Sequence, residues 1–196
     1  MSRTLGLAAI AAGMTLGAPA AADADVIDQV KVGVLIHNVC VTTCKNADKE
    51  SGPIVDIQMN FRSPEFLRWA GGPHPYVSIS PNVSGDTSFA AVGLEWRWEF
   101  VDGWAFVPGL GYALHNGETN NAYRNGDPRA TPFAAGHVLY GSRNLFRNSV
   151  GLQHEFTDKW SAETYYVHYS HGQILGHGRN QGADQVGVRV NYKFKD

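Results

Sequence analysis

The chain has 196 residues and a formal net charge of −2, and only 17% of its residues are charged. That charged fraction lies below the ~25% of average soluble domains, and the near-neutral net charge predicts no nucleic-acid partner. After position 16 no stretch approaches the ~20 apolar residues of a membrane-spanning helix. Any membrane insertion must therefore use strands.

The first residues are typical of an exported protein. Arg3 precedes an apolar stretch over 5–16 and a run of small residues that ends near Ala24. This order predicts a secretory signal peptide over 1–22, with cleavage near 22–24. The rest, 25–196, has the length of one domain.

Cys40 and Cys44 are the only cysteines of the chain. In an exported protein such a closely spaced pair predicts a small-loop disulfide. A zinc site needs about four ligands, and no further ligands lie near this pair in the sequence. We therefore predict neither a metal site nor a cofactor.

Segments that alternate between apolar and polar residues recur along the chain and predict strands. Short connections at 101–103 and 157–159 alternate with long polar ones at 39–52, 116–137 and 172–182, as in outer-membrane barrels. In the turn over 62–74, the residues 64–70 could form a short amphipathic helix. The predicted strands cover 29–38, 53–61, 75–82, 88–100, 103–115, 138–156, 159–171 and 183–194.

Side-chain parity separates two faces in these strands. Valines at 186, 188 and 190 alternate with Arg189 and Asn191, so one face is apolar and the other polar. Eight strands leave room for side chains only, which predicts a packed interior in which opposite charges pair. The fold class is therefore all-β, an eight-stranded antiparallel transmembrane β-barrel; a soluble sandwich is the alternative. The charges predicted to face inward are Lys31, Asp56, Glu95, Arg97, Glu99, Arg147, Glu155, Glu163, Arg189 and Lys193.

Three residues of the last predicted hairpin have the composition of a catalytic triad. His168 and Ser170 share the apolar face of their strand, and Asp184 has the same parity on the next strand. An imidazole can activate a serine hydroxyl, and a carboxylate can fix the imidazole tautomer. Each residue could also be an ordinary polar residue of the rim, but their joint parity favours a site. His37 and His115 have inward parity and are interpreted as structural.

The C-terminal third resembles the lipid A 3-O-deacylase (PagL-type) family, whose penultimate strand ends in a His-x-Ser motif. His168-Tyr169-Ser170 matches that motif, and Asn180-Gln181-Gly182-Ala183-Asp184 matches the Asn-x-Gly-x-Glu element that follows it, with Asp in place of Glu. The family usually has Asn after the serine, where this chain has His171. The similarity extends upstream through 32–37, 61–64 and 114–117.

The resemblance implies an eight-stranded barrel in the bacterial outer membrane that hydrolyses the 3-O-linked acyl chain of lipid A. It also implies Ser170 as nucleophile, His168 as general base, Asp184 as the acid and Asn180 as an oxyanion contributor. The expected partners are lipid A or lipopolysaccharide and outer-membrane lipid; a homodimer is left open. His171, His177 and Arg179 could steer the anionic headgroup. The alternatives are a non-catalytic structural or adhesive barrel and an acyltransferase barrel.

Overall fold

The computed structural model describes residues 26–194, so the predicted signal peptide lies outside the described residues. The described chain has two 3-10 helices and one α-helix. The first 3-10 helix, Cys44–Asn46, follows the first strand, and the second, Glu65–Ala70, follows the second strand. The α-helix, α1, is Ala130–Gly136. The strands are β1 Ile27–His37, β2 Pro53–Phe61, β3 His74–Ser80, β4 Phe89–Glu95, β5 Trp98–Val101, β6 Trp104–His115, β7 Asn144–Glu155, β8 Trp160–Ser170 and β9 Ala183–Lys193.

These strands form one closed antiparallel sheet. Except for β4 and β5, strands that are neighbours in sequence pair with each other, β1 pairs with β9, and β4 pairs with β6 to complete the ring. Because β4 and β5 both pair with β6 in one register, they are two parts of a single barrel strand. The predicted eight-stranded antiparallel barrel is confirmed.

The break between β4 and β5 corrects the prediction of one continuous strand over 88–100. At the break, Trp96 N–H donates to Pro108 O of β6 at 2.9 Å. Proline has no N–H to return a second hydrogen bond, so the ladder is interrupted at this point. Beyond the break, the even-numbered residues Trp98 and Phe100 are exposed, as the predicted outward face requires.

The middle of the barrel interior holds a network of buried charges, as parity predicts. Arg189 lies 2.9 Å from Glu163 and 3.3 Å from Asp56, and Lys31 bridges Glu163 and Glu95. Burial of such charges is tolerated only when they are paired. At the short-turn end the predicted charges are half-buried or exposed, as Lys193 is, and Arg97 pairs there with Glu155 at 2.8 Å and Glu99 at 3.5 Å.

Towards the end of the barrel that carries the long connections, here called the loop end, the interior becomes apolar. Val138, Leu139 and Tyr140 lie there at 0% exposure. They belong to the connection between β6 and β7, which corrects the prediction that β7 begins at 138. Their apolar sequence is typical of a buried strand, but the backbone N–H of Tyr140 donates to Glu118 O within the same connection.

The outer face carries an apolar band with exposed valines such as Val34, Val188 and Val190. At the short-turn end, the 3-10 helix Glu65–Ala70 presents Phe66 and Trp69 at 73% and 86% exposure, in agreement with the short helix predicted there. Among residues 26–194, no helix has both the length and the apolar character to cross a membrane.

Candidate active site

The hairpin of β8 and β9 brings His168 and Asp184 together at the loop end. The two residues are directly opposite in the strand register, and His168 Nδ1 lies 2.7 Å from Asp184 Oδ1. Both point to the outer face, as parity predicts, since alternate residues of β8 such as Val167 and Tyr169 are buried inside. The side chain of Asp184, although one methylene shorter than the glutamate of the motif, therefore spans the distance between the two strands.

The carboxylate of Asp184 is fully enclosed, at 0% exposure, although it lies on the outer face. The loop closed by the Cys40–Cys44 disulfide covers it. Thr43 N–H donates to Oδ2 at 2.8 Å, and Val41 and Thr42 N–H groups donate to the same oxygen. Several such donors stabilise the ionised form of a carboxylate.

The second oxygen of Asp184 faces hydroxyls as well as the imidazole. Tyr166 donates to Oδ1 at 2.9 Å, and Thr42 Oγ1 donates at 2.8 Å. With an ionised carboxylate against Nδ1, the proton of neutral His168 belongs on Nδ1. Nε2 is then the basic nitrogen, which is the arrangement that a catalytic triad needs.

Gly182 allows His168 to occupy this position. A Cβ atom at residue 182 would lie 2.9 Å from Cε1 of His168 and 2.7 Å from Tyr169 O. Both distances are shorter than real Cβ contacts, and one of the two atoms is backbone. Close packing against the imidazole therefore explains why the Asn-x-Gly-x-acid element needs glycine at position 182.

Ser170 is the last residue of β8, two positions beyond His168 on the same outer face, and it is half-buried. Phe146 of β7 lies directly opposite it. Among the hydrogen bonds of the described chain, none joins Ser170 Oγ to His168. Such contacts are often long in structures without substrate and shorten in the complex.

Asn180 and His171 lie beside each other in the connection between β8 and β9. Asn180 Oδ1 accepts from His171 N–H at 3.2 Å, which directs the Nδ2 donor of Asn180 away from that backbone. His171 is 0% exposed, with Nε2 2.8 Å from Arg179 O and Nδ1 accepting from Gln173 N–H. The expectation that His171 steers a headgroup is wrong, because both ring nitrogens are used to fold the loop.

Two cations lie in the same region of the rim. Lys49 donates to Gln181 Oε1 at 3.1 Å, and Arg179 is exposed. Burial and then the nearby Arg179 charge lower the pKa of Lys49, against a smaller opposing effect of Glu50. Through this bond to Gln181, Lys49 lies against the connection that carries Arg179, and His177 is exposed in the same connection.

Glu50 joins three loop-end segments at the barrel mouth. Its carboxylate accepts from Val138 N–H at 2.9 Å and Thr87 N–H at 3.4 Å, and it lies 3.1 Å from His37 Nε2. Burial acts to raise the pKa of Glu50, but the hydrogen bonds from His37, Thr87 and Val138 outweigh it and lower the pKa below 4.5. His37 and His115 are both buried, as their parity predicts.

An apolar groove of about 270 Å³ lies on the outer wall directly along β8 from the site. Two residues bound the groove on the side of the site. They are Tyr166, which donates to Asp184, and Val186, the next outward residue after Asp184. The remaining lining of the groove includes Phe106, Val150, Leu152 and Thr164.

Within residues 26–194 no group of His, Cys, Asp and Glu side chains is arranged to hold a metal ion.

Comparisons with known proteins support the fold. No protein-family model matches the chain, and no curated protein sequence matches it. Among solved structures, the chain is similar to the outer membrane enzyme PagL, with 13% identity over 83% of this chain and 97% of that chain and a TM-score of 0.58. This similarity shows a barrel of the outer-membrane type.

Two further barrels match less well. Neisserial surface protein A has 11% identity over 84% of this chain and 96% of that chain, with a TM-score of 0.48. The Yersinia pestis outer membrane protein Ail has 9% identity over 86% of this chain and 99% of that chain, with a TM-score of 0.43.

Sequence reasoning missed the residues that surround the acid. Tyr166 shares the outward parity of His168, but nothing in the sequence connects it to Asp184. Thr42 is separated from Asp184 by 142 positions, and the one local signal is that two cysteines flank it. The contact depends on β1 pairing with β9, which closes the barrel.

Proposed function

We propose that the protein is an outer-membrane esterase that hydrolyses the 3-O-linked acyl chain of lipid A. Ser170 is the nucleophile, His168 the general base and Asp184 the acid that orients His168. The observation that carries this proposal is the 2.7 Å contact between His168 Nδ1 and Asp184 Oδ1, two residues from Ser170 on the outer wall of a barrel. Support for the location comes from the barrel fold and the similarity to the outer membrane enzyme PagL.

The chemistry follows from these groups. Ser170 Oγ attacks the ester carbonyl carbon while His168 Nε2 takes its proton. The tetrahedral intermediate collapses, the sugar oxygen leaves with that proton, and an acyl-serine remains. Water, deprotonated by His168, then releases the fatty acid and regenerates Ser170. The products are a hydroxy fatty acid and lipid A that lacks one chain.

The Nδ2 donor of Asn180 is proposed to stabilise the oxyanion of the tetrahedral intermediate. Such donors typically contribute a few kcal/mol, about 10²–10³ in kcat. The outer-wall groove below the site has the apolar lining that an acyl chain requires. A substrate that enters laterally from the outer leaflet would place its ester at the rim and its chain along β8.

The rim cations support a phosphorylated headgroup as the polar part of the substrate. Arg179 is exposed, and Lys49 donates to Gln181, two positions further along the same connection. Phosphate is attracted to such paired cations and binds guanidinium groups well. The long connections would face the cell exterior, as in other barrels of this type.

The test is mass spectrometry of purified lipid A after incubation with detergent-solubilised protein. Wild type is expected to remove one hydroxyacyl chain, whereas Ser170→Ala and His168→Ala leave lipid A intact. Ser84→Ala and His154→Ala are matched controls, because both residues are exposed and remote from β9. Heat-modifiable electrophoretic migration verifies that each variant is folded.

Each other result contradicts part of the proposal. Intact lipid A after incubation with folded wild type favours a non-catalytic barrel. A mass gain of one acyl chain in place of a loss indicates an acyltransferase. Activity that persists in Ser170→Ala excludes Ser170 as the nucleophile.

A further inference from the structure

The Cys40–Cys44 loop does more than cover Asp184. Its three inner residues, 41–43, each direct a backbone N–H at Oδ2 of the carboxylate. Successive backbone N–H groups that converge in this way form an anion-binding concavity. The carboxylate is thus held by a segment that is 141–143 positions away in the sequence.

Thr42 also contacts the other members of the site. Its Oγ1 lies 2.8 Å from Asp184 Oδ1, 3.1 Å from His168 Nδ1 and 3.1 Å from Tyr166 OH. One hydroxyl therefore touches the acid, the base and the tyrosine that donates to the acid. The hydroxyl lies on the side of the imidazole opposite to Nε2, so it does not contact the reacting atoms.

We propose that Thr42, held by the Cys40–Cys44 disulfide, is the positioning residue of the acid–base pair. This inference rests on the proposed hydrolase function. Thr42 fixes Oδ1 of Asp184 against His168 Nδ1, and the loop N–H groups keep the carboxylate ionised in the absence of water. Catalytic turnover therefore depends on the disulfide, although neither cysteine contacts the substrate.

The disulfide is the restraint that makes this arrangement specific. It closes a loop of a few residues, so the backbone around Thr42 has few conformations available. Two further contacts tie the surrounding connection to β9: Asn46 Nδ2 donates to Gly182 O at 3.2 Å and Val39 N–H donates to Asp184 O at 3.0 Å. Neither contact involves a cysteine, so loss of the disulfide should disorder the loop tip and leave the barrel intact.

The first experiment measures kcat and KM for lipid A hydrolysis with Thr42→Val and Thr42→Ser. Loss of a hydrogen bond to a charged group corresponds to roughly tenfold or more in kcat, and we expect that loss in Thr42→Val with little change in KM. Thr42→Ser keeps the hydroxyl and should recover most of the activity. Thr87→Val is the matched control, because Thr87 is a loop-end threonine in the connection between β3 and β4, and its backbone N–H bonds Glu50 and not the His168–Asp184 pair.

The second experiment tests the disulfide. The double variant Cys40→Ser/Cys44→Ser and the reduced wild type should show the same fall in kcat, and reductant should have no further effect on the double variant. Wild-type kcat in a folded double variant would overturn the dependence on the disulfide. Unchanged kcat in Thr42→Val would overturn the role of Thr42.

A third measurement does not require activity. The ¹⁵N chemical shifts of labelled His168, assigned against His168→Gln, report which ring nitrogen carries the proton. Wild type and Thr42→Ser should show the proton on Nδ1, and Thr42→Val should show a mixture of tautomers. If lipid A stays intact while this signature depends on Thr42, the proposed function fails and the positioning role holds; a signature independent of Thr42 refutes the positioning role.

Discussion

His168 and Asp184 face each other across a single hairpin, with Nδ1 and Oδ1 2.7 Å apart. The pair is therefore set by strand register and not by loop conformation. A shift of one residue between β8 and β9 would send one side chain into the barrel interior. Barrel closure prevents such a shift, because β9 is also paired with β1 along its length.

Asp184→Asn is expected to lower kcat by about 10⁴-fold, the scale seen when a triad acid is replaced by its amide. The amide can present an N–H to Nδ1, which favours the wrong imidazole tautomer. KM should change little, since Asp184 does not contact substrate. Steady-state kinetics on lipid A measures both constants.

Asp184→Glu is the companion variant, with the charge kept and one methylene added. Since the cross-strand spacing is already spanned by aspartate, we expect a loss of roughly 10²-fold from misplacement of the imidazole. Wild-type kcat in Asp184→Asn would show that this carboxylate does not orient His168.

Alternation of side chains was sufficient to predict the barrel, because the sheet has a period of two and its two faces differ in polarity. The same parity correctly placed His168 and Asp184 on the outer face. It could not predict the burial of Asp184, which comes from the 40–44 loop. That contact depends on which strands close the ring, and no local pattern in the sequence carries this information.

Local patterns failed where tertiary packing overrode them. Val138, Leu139 and Tyr140 have strand-like composition, yet they fill the barrel mouth as part of a connection. His171 lies in a polar connection, which predicts an exposed side chain that could contact a headgroup, but it is buried and bonded to Arg179 O at 2.8 Å. In both cases the decisive factor is the burial of a loop, which short sequence windows do not show.

Gly182→Ala is expected to reduce kcat and leave the barrel folded. The added Cβ would lie 2.9 Å from His168 Cε1 and 2.7 Å from Tyr169 O, and overpacking of this kind costs about 1–3 kcal/mol. The imidazole is the more mobile neighbour and should move. Gly136→Ala is the control, because a Cβ there meets nothing within 4 Å. Equal kcat in the two variants would contradict the packing argument.

Arg189→Met is expected to destabilise the barrel by about 3–5 kcal/mol, the scale for removal of one partner from a buried ion pair. Arg189 bonds Glu163 at 2.9 Å and Asp56 at 3.3 Å in the interior, so Asp56 would lose its cation and Glu163 would keep only Lys31. Urea unfolding in detergent, followed by tryptophan fluorescence, measures the change. Arg68→Met should be nearly neutral, since Arg68 and Glu65 are exposed at 78% and 82%. Similar unfolding curves for the two variants would exclude a stabilising role for the interior network.

Glu50 should make the packing of the barrel mouth sensitive to acid. Its folded-state pKa lies below the unfolded value of 4.5, because hydrogen bonds from His37, Thr87 and Val138 outweigh the effect of burial. Its contribution to stability is therefore fully present above pH 4.5 and is lost as the pH falls through the lowered folded-state pKa. Thermal unfolding of wild type and Glu50→Gln, measured from about pH 7 down to about pH 3, separates this group from other carboxylates. The stability difference between the two proteins should be constant in the upper range and should shrink below pH 4.5; a difference that grows on acidification would mean that the pKa of Glu50 is raised by folding.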